Sequence, residues 1–497
     1  MAMKAEYELG QRPALSVGDL PTPEEVFDIP RLGRRQILTC AIGPSLIALG
    51  VSIGGGEWIL GPLVIGDGSF KGVFFAVFLS ALLQTIYNIE IARYVLATGE
   101  VPILGFGRVP PGYRFWIPVG LGVLYLSYIF GGTFAVAGQA LYPLIFGHVA
   151  QPGDVEVTRL LALAVVAAAI VLVFVAKKVS AALERFNAVI IVTTLLGLVV
   201  IDLALVPADM WREAIGAFVT PALPPPGTTA TAVGALVGYT ALVSGLNWYV
   251  MGHYRDKGYG MGHRTGFIAG GRGQQQTVRA TGITFPDTDF NREQWKRWMR
   301  LLRIDMWVVF FPAALLGMLL PAVLVARLAR NSDDQPTAAN MPTYVADALG
   351  AQYGRALFWV TVVLGALLLV KTAINVFEGL VRVMVDAVNG SESTLGQYVR
   401  RDPRRFYFIF MIGFAAVMAV MLHLAVPATL LQISGNMAAV GMLIFPFLVI
   451  YLNRRLPEAA RPSISANVAV LVCVPFFGFF FLNFLVEKVT GVPMLTF

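Results

Sequence analysis

Ser52-Ile53-Gly54-Gly55-Gly56-Glu57 interrupts, near its middle, an apolar run extending from Gln36 to Ile65, and Ser244-Gly245-Leu246-Asn247 interrupts a second run from Thr229 to Tyr254. Backbone that leaves a helix inside a bilayer must find its hydrogen bonds in protein, water or ligand, so such breaks line a site instead of facing lipid. Two breaks in corresponding positions of the two halves of a chain point to a carrier that binds its cargo at the membrane midplane.

Composition supports the membrane assignment. Of 497 residues, 57% are hydrophobic and only 13% charged, with a mean hydropathy of +0.71, far beyond what a soluble core needs. A scan for stretches of roughly 20 apolar residues gives spans at 36–66, 71–97, 114–147, 157–176, 179–205, 229–254, 303–328, 351–389, 404–423, 427–453 and 464–491. These predict an all-α membrane protein. Residues 1–35 are polar, carry Glu24, Glu25 and Asp28, and read as a cytoplasmic tail, not a cleavable signal. With the N-terminus inside, 28 of the 37 lysines and arginines fall in cytoplasmic segments, and the outer segments hold only Lys71, Arg159, Arg212, Arg327, Arg330, Arg355 and Lys488. That asymmetry orients the chain in the cytoplasmic membrane with its C-terminus outside, and it accounts for the net charge of +7 without nucleic acid. The lipid bilayer and a transported ion or solute are the partners expected, and no cofactor is. Cys40 and Cys473 lie in separate spans and offer neither a disulfide framework nor a zinc site.

One long connection, 255–302, is expected in the cytoplasm. It opens glycine-rich, at Gly258, Gly260 and Gly262, and continues through Arg272-Gly273-Gln274-Gln275-Gln276, but no strand precedes these glycines, so no nucleotide loop is read there. Trp295, Trp298, Met299 and Leu302 then recur at helical spacing among Lys296, Arg297 and Arg300. This pattern predicts a helix lying in the headgroup plane, with a cytoplasmic extension of the seventh span as the alternative.

Five spans precede the second broken one and five run from it onward, which divides the chain into repeats 36–205 and 229–453 with an eleventh helix at 464–491. Two inverted five-helix repeats, each opening on an unwound helix, are the LeuT-type arrangement.

Gly43-Pro44-Ser45-Leu46-Ile47-Ala48-Leu49-Gly50 followed by Gly54-Gly55-Gly56-Glu57-Trp58 resembles the first helix of the NRAMP (natural resistance-associated macrophage protein) family of divalent-metal transporters, within the amino acid-polyamine-organocation superfamily. Val250-Met251-Gly252-His253 resembles the family's Met-Pro-His motif in the sixth helix, and Ala92-Arg93-Tyr94-Val95-Leu96-Ala97-Thr98-Gly99 the end of its second. Gly216-Ala217-Phe218-Val219-Thr220-Pro221 and Leu431-Gln432 extend the likeness over most of the chain. The resemblance implies alternating-access transport of a divalent cation, with Met251 as a metal ligand and His253 in proton handling. It also marks departures. Where the family's first helix carries a metal-binding aspartate and asparagine, this chain has Gly54 and Glu57, so Glu57 is the carboxylate available to rebuild the site with Met251. The family's acidic residues in the third helix are absent, since no charged residue occurs from Phe115 to Phe146, and its arginine in the ninth is replaced by Arg404 and Arg405 at the helix start. Coupling to protons in the family's manner is therefore not expected.

Glu57 also stands where a half-helix would begin, a position at which the helix dipole favours an acid whatever the function. The eighth span carries Lys371, Asn375, Glu378, Arg382 and Asp386 on one stripe, and ionisable groups within a bilayer are functional candidates. Lys371 is read either as a built-in cation on the first helix, paired with Glu57 or Glu90, or as part of a structural network with Glu378 and Arg382. Glu90, beside Asn88, has the same two readings. Gln432 and Asn436 in the tenth span are further candidates for lining the site.

A second functional class follows from the glycines. Gly54, Gly55 and Gly56 expose amides at a half-helix N-terminus, where small organic solutes such as amino acids bind, with Trp248 and Tyr249 as walls. A transporter-like sensor without flux is the third. An enzyme is not expected, because His148, His253, His263 and His423 are not at metalloprotease spacing and no nucleotide loop or nucleophile elbow occurs.

Overall fold

The computed structural model describes residues 28–29, 31–33, 44–66, 69–175, 179–240, 242, 245–265, 282–330, 335–390, 394–401, 403–423 and 427–497. Cys40, Ser244 and Arg272 to Gln276 lie outside the described residues. Among the described residues the chain is helical, apart from an isolated bridge between Thr229 and Thr496.

The first span is two pieces, α1 (Pro44–Ser52) and α2 (Gly56–Ile65), bent by 40° at the glycines. There follow α3 (Val73–Thr98), α4 (Tyr113–Phe146), α5 (Val155–Val175), α6 (Val179–Leu205) and the amphipathic α7 (Ala208–Val219). The sixth span is again split, into α8 (Ala230–Tyr239) and α9 (Leu246–Asp256). After it come α10 (Asp289–Ala329), α11 (Met341–Tyr353), α12 (Arg355–Asn389), α13 (Thr394–Arg401), α14 (Pro403–Met421), α15 (Pro427–Asn453) and α16 (Ile464–Thr490). Among the described residues eight unbroken helices are long and apolar enough to cross a membrane, the α1–α2 pair makes nine, and α8 and α14 are shorter apolar helices. Local chemistry sets the ends: Thr229 and Ser463 accept from the amides of Ala232 and Ala466 to start α8 and α16, and Gly99 closes α3 at φ +67°.

Burial divides the helices into an inner and an outer set. The apolar windows of α5, α6 and α16 are 28%, 33% and 33% buried, whereas those of α3, α12 and α15 are each 67% buried. Val189, Val192, Leu196, Val200 and Leu203 of α6 are accordingly exposed, as a lipid-facing surface requires. Inside, α8 and α15 pass so closely that a methyl on Gly238 would meet the carbonyl oxygen of Gly435 at 2.0 Å, so only glycine permits the approach.

The tryptophan-bearing segment corrects the expectation of a headgroup-plane helix. Asp289 to Ala329 is one 41-residue helix, with a π-turn at Asp305–Phe310 joining its polar first half to the apolar second. Trp295, Trp298, Met299 and Leu302 are buried against protein, Trp298 beside Tyr259 (centroids 5.3 Å apart) and Trp295 beside Phe285 (5.8 Å). An amphipathic stripe records an apolar partner, and here that partner is the loop, not the lipid.

Candidate functional site

The α1–α2 break brings together groups from four spans. Glu57 is fully buried in the π-turn Gly56–Leu60, and its Oε2 accepts from the Gly54 amide at 2.8 Å. This is the reach-back half of a capping box, with the acid three residues past the N-cap. Its other oxygen, Oε1, has no hydrogen-bond partner among the described residues. The three glycines exist because neighbours press on them: added methyls would lie 2.2 Å from Thr372 Oγ1 at Gly54, 2.8 Å from Leu431 at Gly55 and 2.7 Å from Tyr239 Cβ at Gly56. Helices α12, α15 and α8 therefore all converge on the break.

Lys371 closes the other side. Its Nζ donates to the carbonyls of Ile53 at 2.6 Å and Leu49 at 3.3 Å, and Thr372 donates to Ile53 at 2.9 Å. The last carbonyls of a helix lack intrahelical partners and carry the negative end of its dipole, so an ammonium is well placed there. The unwound segment thus has an acid on the N-terminal end of α2 and a base on the C-terminal end of α1, both supplied by this chain. Lys371 forms no ion pair with Glu57 or Glu90. Glu90 instead binds Arg93 at 2.7 Å, and Asn453 donates to its carbonyl at 2.8 Å, a tie between α3 and α15 away from the break.

The rest of the α12 stripe reaches three further helices. Asn375 exchanges amide hydrogen bonds with Asn187 of α6 at 2.7 and 2.9 Å. Glu378 accepts from Tyr407 at 3.0 Å and lies 3.6 Å from Arg382, which pairs with Asp256 of α9. Asp386 lies 3.2 Å from Arg255. All five stripe residues are buried. The structural reading therefore applies to Glu378, Arg382 and Asp386, which seal α9 against α12 and α14 below the break. His253, one turn before Asp256 and stacked edge-on to Tyr249 at 4.6 Å, belongs to this sealed half.

α8 ends at Tyr239 and α9 begins at Leu246, so Leu246 and Asn247, expected within the break, form the first turn of α9 instead. Leu242 adopts φ +76° and Gly245 φ +80°. A leucine held in the left-handed region is strained, and such strain concentrates at functional sites. Trp248 is clamped between Phe106 (5.2 Å) and Phe445 (4.4 Å), and Tyr249 packs on Gly379. Met251 is fully buried further along α9. Gln432 is half-buried, while Asn436 donates to the carbonyls of Thr231 and Gln432 at 3.1 Å each, locking α15 to α8. The residues that actually face the break from α8 and α15 are Tyr239 and Leu431, with Ser434 beside Tyr239. Tyr239 carried no sequence signal because it reads as one more apolar helical residue.

Among the described residues no group of three or more His, Cys, Asp or Glu side chains is placed to hold a metal ion. Besides Glu57 Oε1, both side-chain atoms of Asn247 and the Ser52 hydroxyl are buried without partners. At the ends of α4 and α14 and the starts of α5, α11 and α15, on the side away from the Arg382–Asp256 seal, a cavity of about 490 Å3 is lined by Gln139, Thr158, Arg159, Asn340, Thr343 and Tyr344.

The chain resembles solved transporters in overall structure. A manganese transporter of Eremococcus coleocola, solved with an aromatic bis-isothiourea compound, superposes with a TM-score of 0.62 at 13% identity, covering 96% of this chain and 92% of that one. A mutant of that transporter gives the same score at 12% identity. Mhp1, a nucleobase-cation-symport-1 family transporter in a closed conformation with bromovinylhydantoin bound, gives 0.50 at 14% identity, covering 88% and 91%. The chain has the LeuT-type fold. No protein-family model and no curated protein sequence matches it. At these identities the likeness speaks to architecture, and the broken first and sixth spans are the part of that architecture that this chain retains.

Proposed function

We propose that the protein is a secondary transporter that binds a small organic solute, uncharged or zwitterionic, at the paired helix breaks and moves it by alternating access. The observation that carries this reading is Glu57, whose one oxygen caps α2 while the other is buried without a partner beside Tyr239 and the unwound glycines. An acceptor left unsatisfied in a dry site costs about 1–3 kcal/mol, which a solute bearing an N–H or O–H donor recovers on binding. The anion-binding amide at Gly54 is already taken by Glu57, so the substrate is recognised by donation to the acid more than by a carboxylate at the glycines.

Lys371 sets the charge of that substrate. A dication bound at Glu57 meets, across the same break, the like charge of this ammonium. On this reading an organic solute is placed before the divalent metal that the sequence favours. A divalent cation is the second reading, supported by the Glu57 carboxylate and the buried Met251 thioether on the two broken spans.

Counterflow in proteoliposomes separates these readings. Labelled amino acids and nucleobases are exchanged against unlabelled pools, with manganese run in parallel. We expect exchange of an organic solute that Glu57→Gln weakens and Met251→Ala leaves intact. Manganese flux lost in both variants would establish the metal reading instead. Saturable binding without any flux would make the protein a sensor.

A further inference from the structure

Asp202 belongs to none of the assemblies described above. It lies three residues before the end of α6, is fully buried, and neither carboxyl oxygen has a hydrogen-bond partner among the described residues. It shares a buried face with Thr194, whose hydroxyl is also unpartnered, and with Asn187, which holds Asn375 of α12. Spacings of eight and seven residues keep the three on one side of a helix. This polar line crosses a helix whose opposite face is bare lipid-facing valine and leucine, and it ends where Asn375 donates to the carbonyl of Lys371 at 2.8 Å.

The charged groups on the elements packed against α6 have partners of their own. Helix α1 brings none. From α10, Arg327 donates to the carbonyl of Leu205 at 3.1 Å. On α12, Lys371 holds α1, while Glu378, Arg382 and Asp386 form the seal around Asp256 and Arg255. Glu184 at the opposite end of α6 pairs with Lys257, and Glu213 of α7 pairs with Arg330 at 3.5 Å. Among the described residues no cluster of His, Cys, Asp or Glu stands around Asp202 to hold a metal ion, so the cation that fits a single buried carboxyl is a proton.

We propose that Asp202 is the protein's coupling carboxyl, neutralised by a proton from the side on which α6 ends and discharged when transport exposes the polar face of α6. Protonation adds one hydrogen to a carboxylate oxygen and its release restores the carboxylate, so no other reactant is required. The proposal rests on the transport reading above, and it supplies a coupling route that does not use the third span.

The test has two arms. In nanodiscs, infrared difference spectra between acid and alkaline pH contain a protonated-carboxyl band that disappears in Asp202→Asn and persists in Glu57→Gln; a band unchanged by Asp202→Asn overturns the proposal. In proteoliposomes, an imposed inward proton gradient stimulates uptake of whichever labelled amino acid or nucleobase the wild type exchanges. Asp202→Asn loses that stimulation, retains labelled-for-unlabelled exchange, and Asp202→Glu regains the stimulation. Gradient-driven uptake surviving in Asp202→Asn overturns the proposal while leaving the transport reading intact, whereas absence of exchange in the wild type defeats the transport reading itself.

Discussion

At the residue scale the break is held by two side chains with opposite tasks. Glu57 supplies a cap with one oxygen and a free acceptor with the other, and Glu57→Gln keeps size and one carbonyl acceptor while removing the charge. Weakening of solute binding by at least ~10-fold, about 1.4 kcal/mol, is the expected outcome in a titration of the purified variant. Lys371→Met removes an ammonium from two carbonyls inside the membrane and leaves the Thr372 hydroxyl as the remaining donor from α12 to Ile53, which loosens α1 from α12. A drop in the detergent melting temperature together with loss of exchange checks this, since the same bonds position Ile53 next to Gly54. Gly54→Ala places a methyl 2.2 Å from Thr372 Oγ1 in a packed interior, so the variant loses exchange, and the double variant Gly54→Ala with Thr372→Gly recovers part of it.

At the element scale, α12 is the member that ties the molecule together. Along one face it grips α1 through Lys371, α6 through Asn375, α14 through Glu378 and Tyr407, and α9 through Arg382 and Asp386. The lower ties must part if α9 is to swing away from α12. Removing one partner of a buried pair leaves the other charge uncompensated, at a cost of about 3–5 kcal/mol, so Arg382→Met destabilises the closed form on this side. The expected outcome is faster labelling of cysteines introduced near Asp386 from the α9 side, measured against wild type. A double-mutant cycle of Arg382→Met with Asp256→Asn then returns a coupling energy well above that of an exposed pair.

At the scale of the whole molecule, the closed face and the indented face lie at opposite ends of α12, the arrangement that the proposed alternating access requires. The frame on the sealed side is pinned by Glu100, beyond the end of α3, which accepts from Arg108 at 2.8 and 2.9 Å, from Tyr94, and from the amide of Gly282 at 3.3 Å. Burial pushes its carboxyl up, but the guanidinium and these donors outweigh that and hold it below the usual carboxylate range. A group whose folded value is depressed contributes stability that is present above its unfolded value and is lost as pH falls toward the folded one. Melting temperature in detergent should therefore fall on acidification below the ordinary glutamate range, and Glu100→Gln should flatten that dependence. Orientation is a separate prediction: an epitope after Phe497 is expected to be accessible on intact spheroplasts, and one before Met1 only after lysis.

The paired breaks, the multi-span helical fold and the stripe on α12 are legible in the sequence because bilayer chemistry leaves no alternative for glycines and charges within apolar runs. What occupies a break is not encoded by spacing. That Glu57 caps its own half-helix, that Lys371 reaches carbonyls 318 and 322 positions away and not a carboxylate, and that Glu90 belongs to Arg93 are outcomes of which helix faces meet. Likewise the Trp295–Leu302 stripe had one apolar side in either reading, and only tertiary packing gave it Tyr259 and Phe285 for a partner. Periodicity fixes which side of a helix is apolar or charged, because it is a property of the helix alone; the identity of the group that answers that side is a property of two elements, and is decided only when they pack.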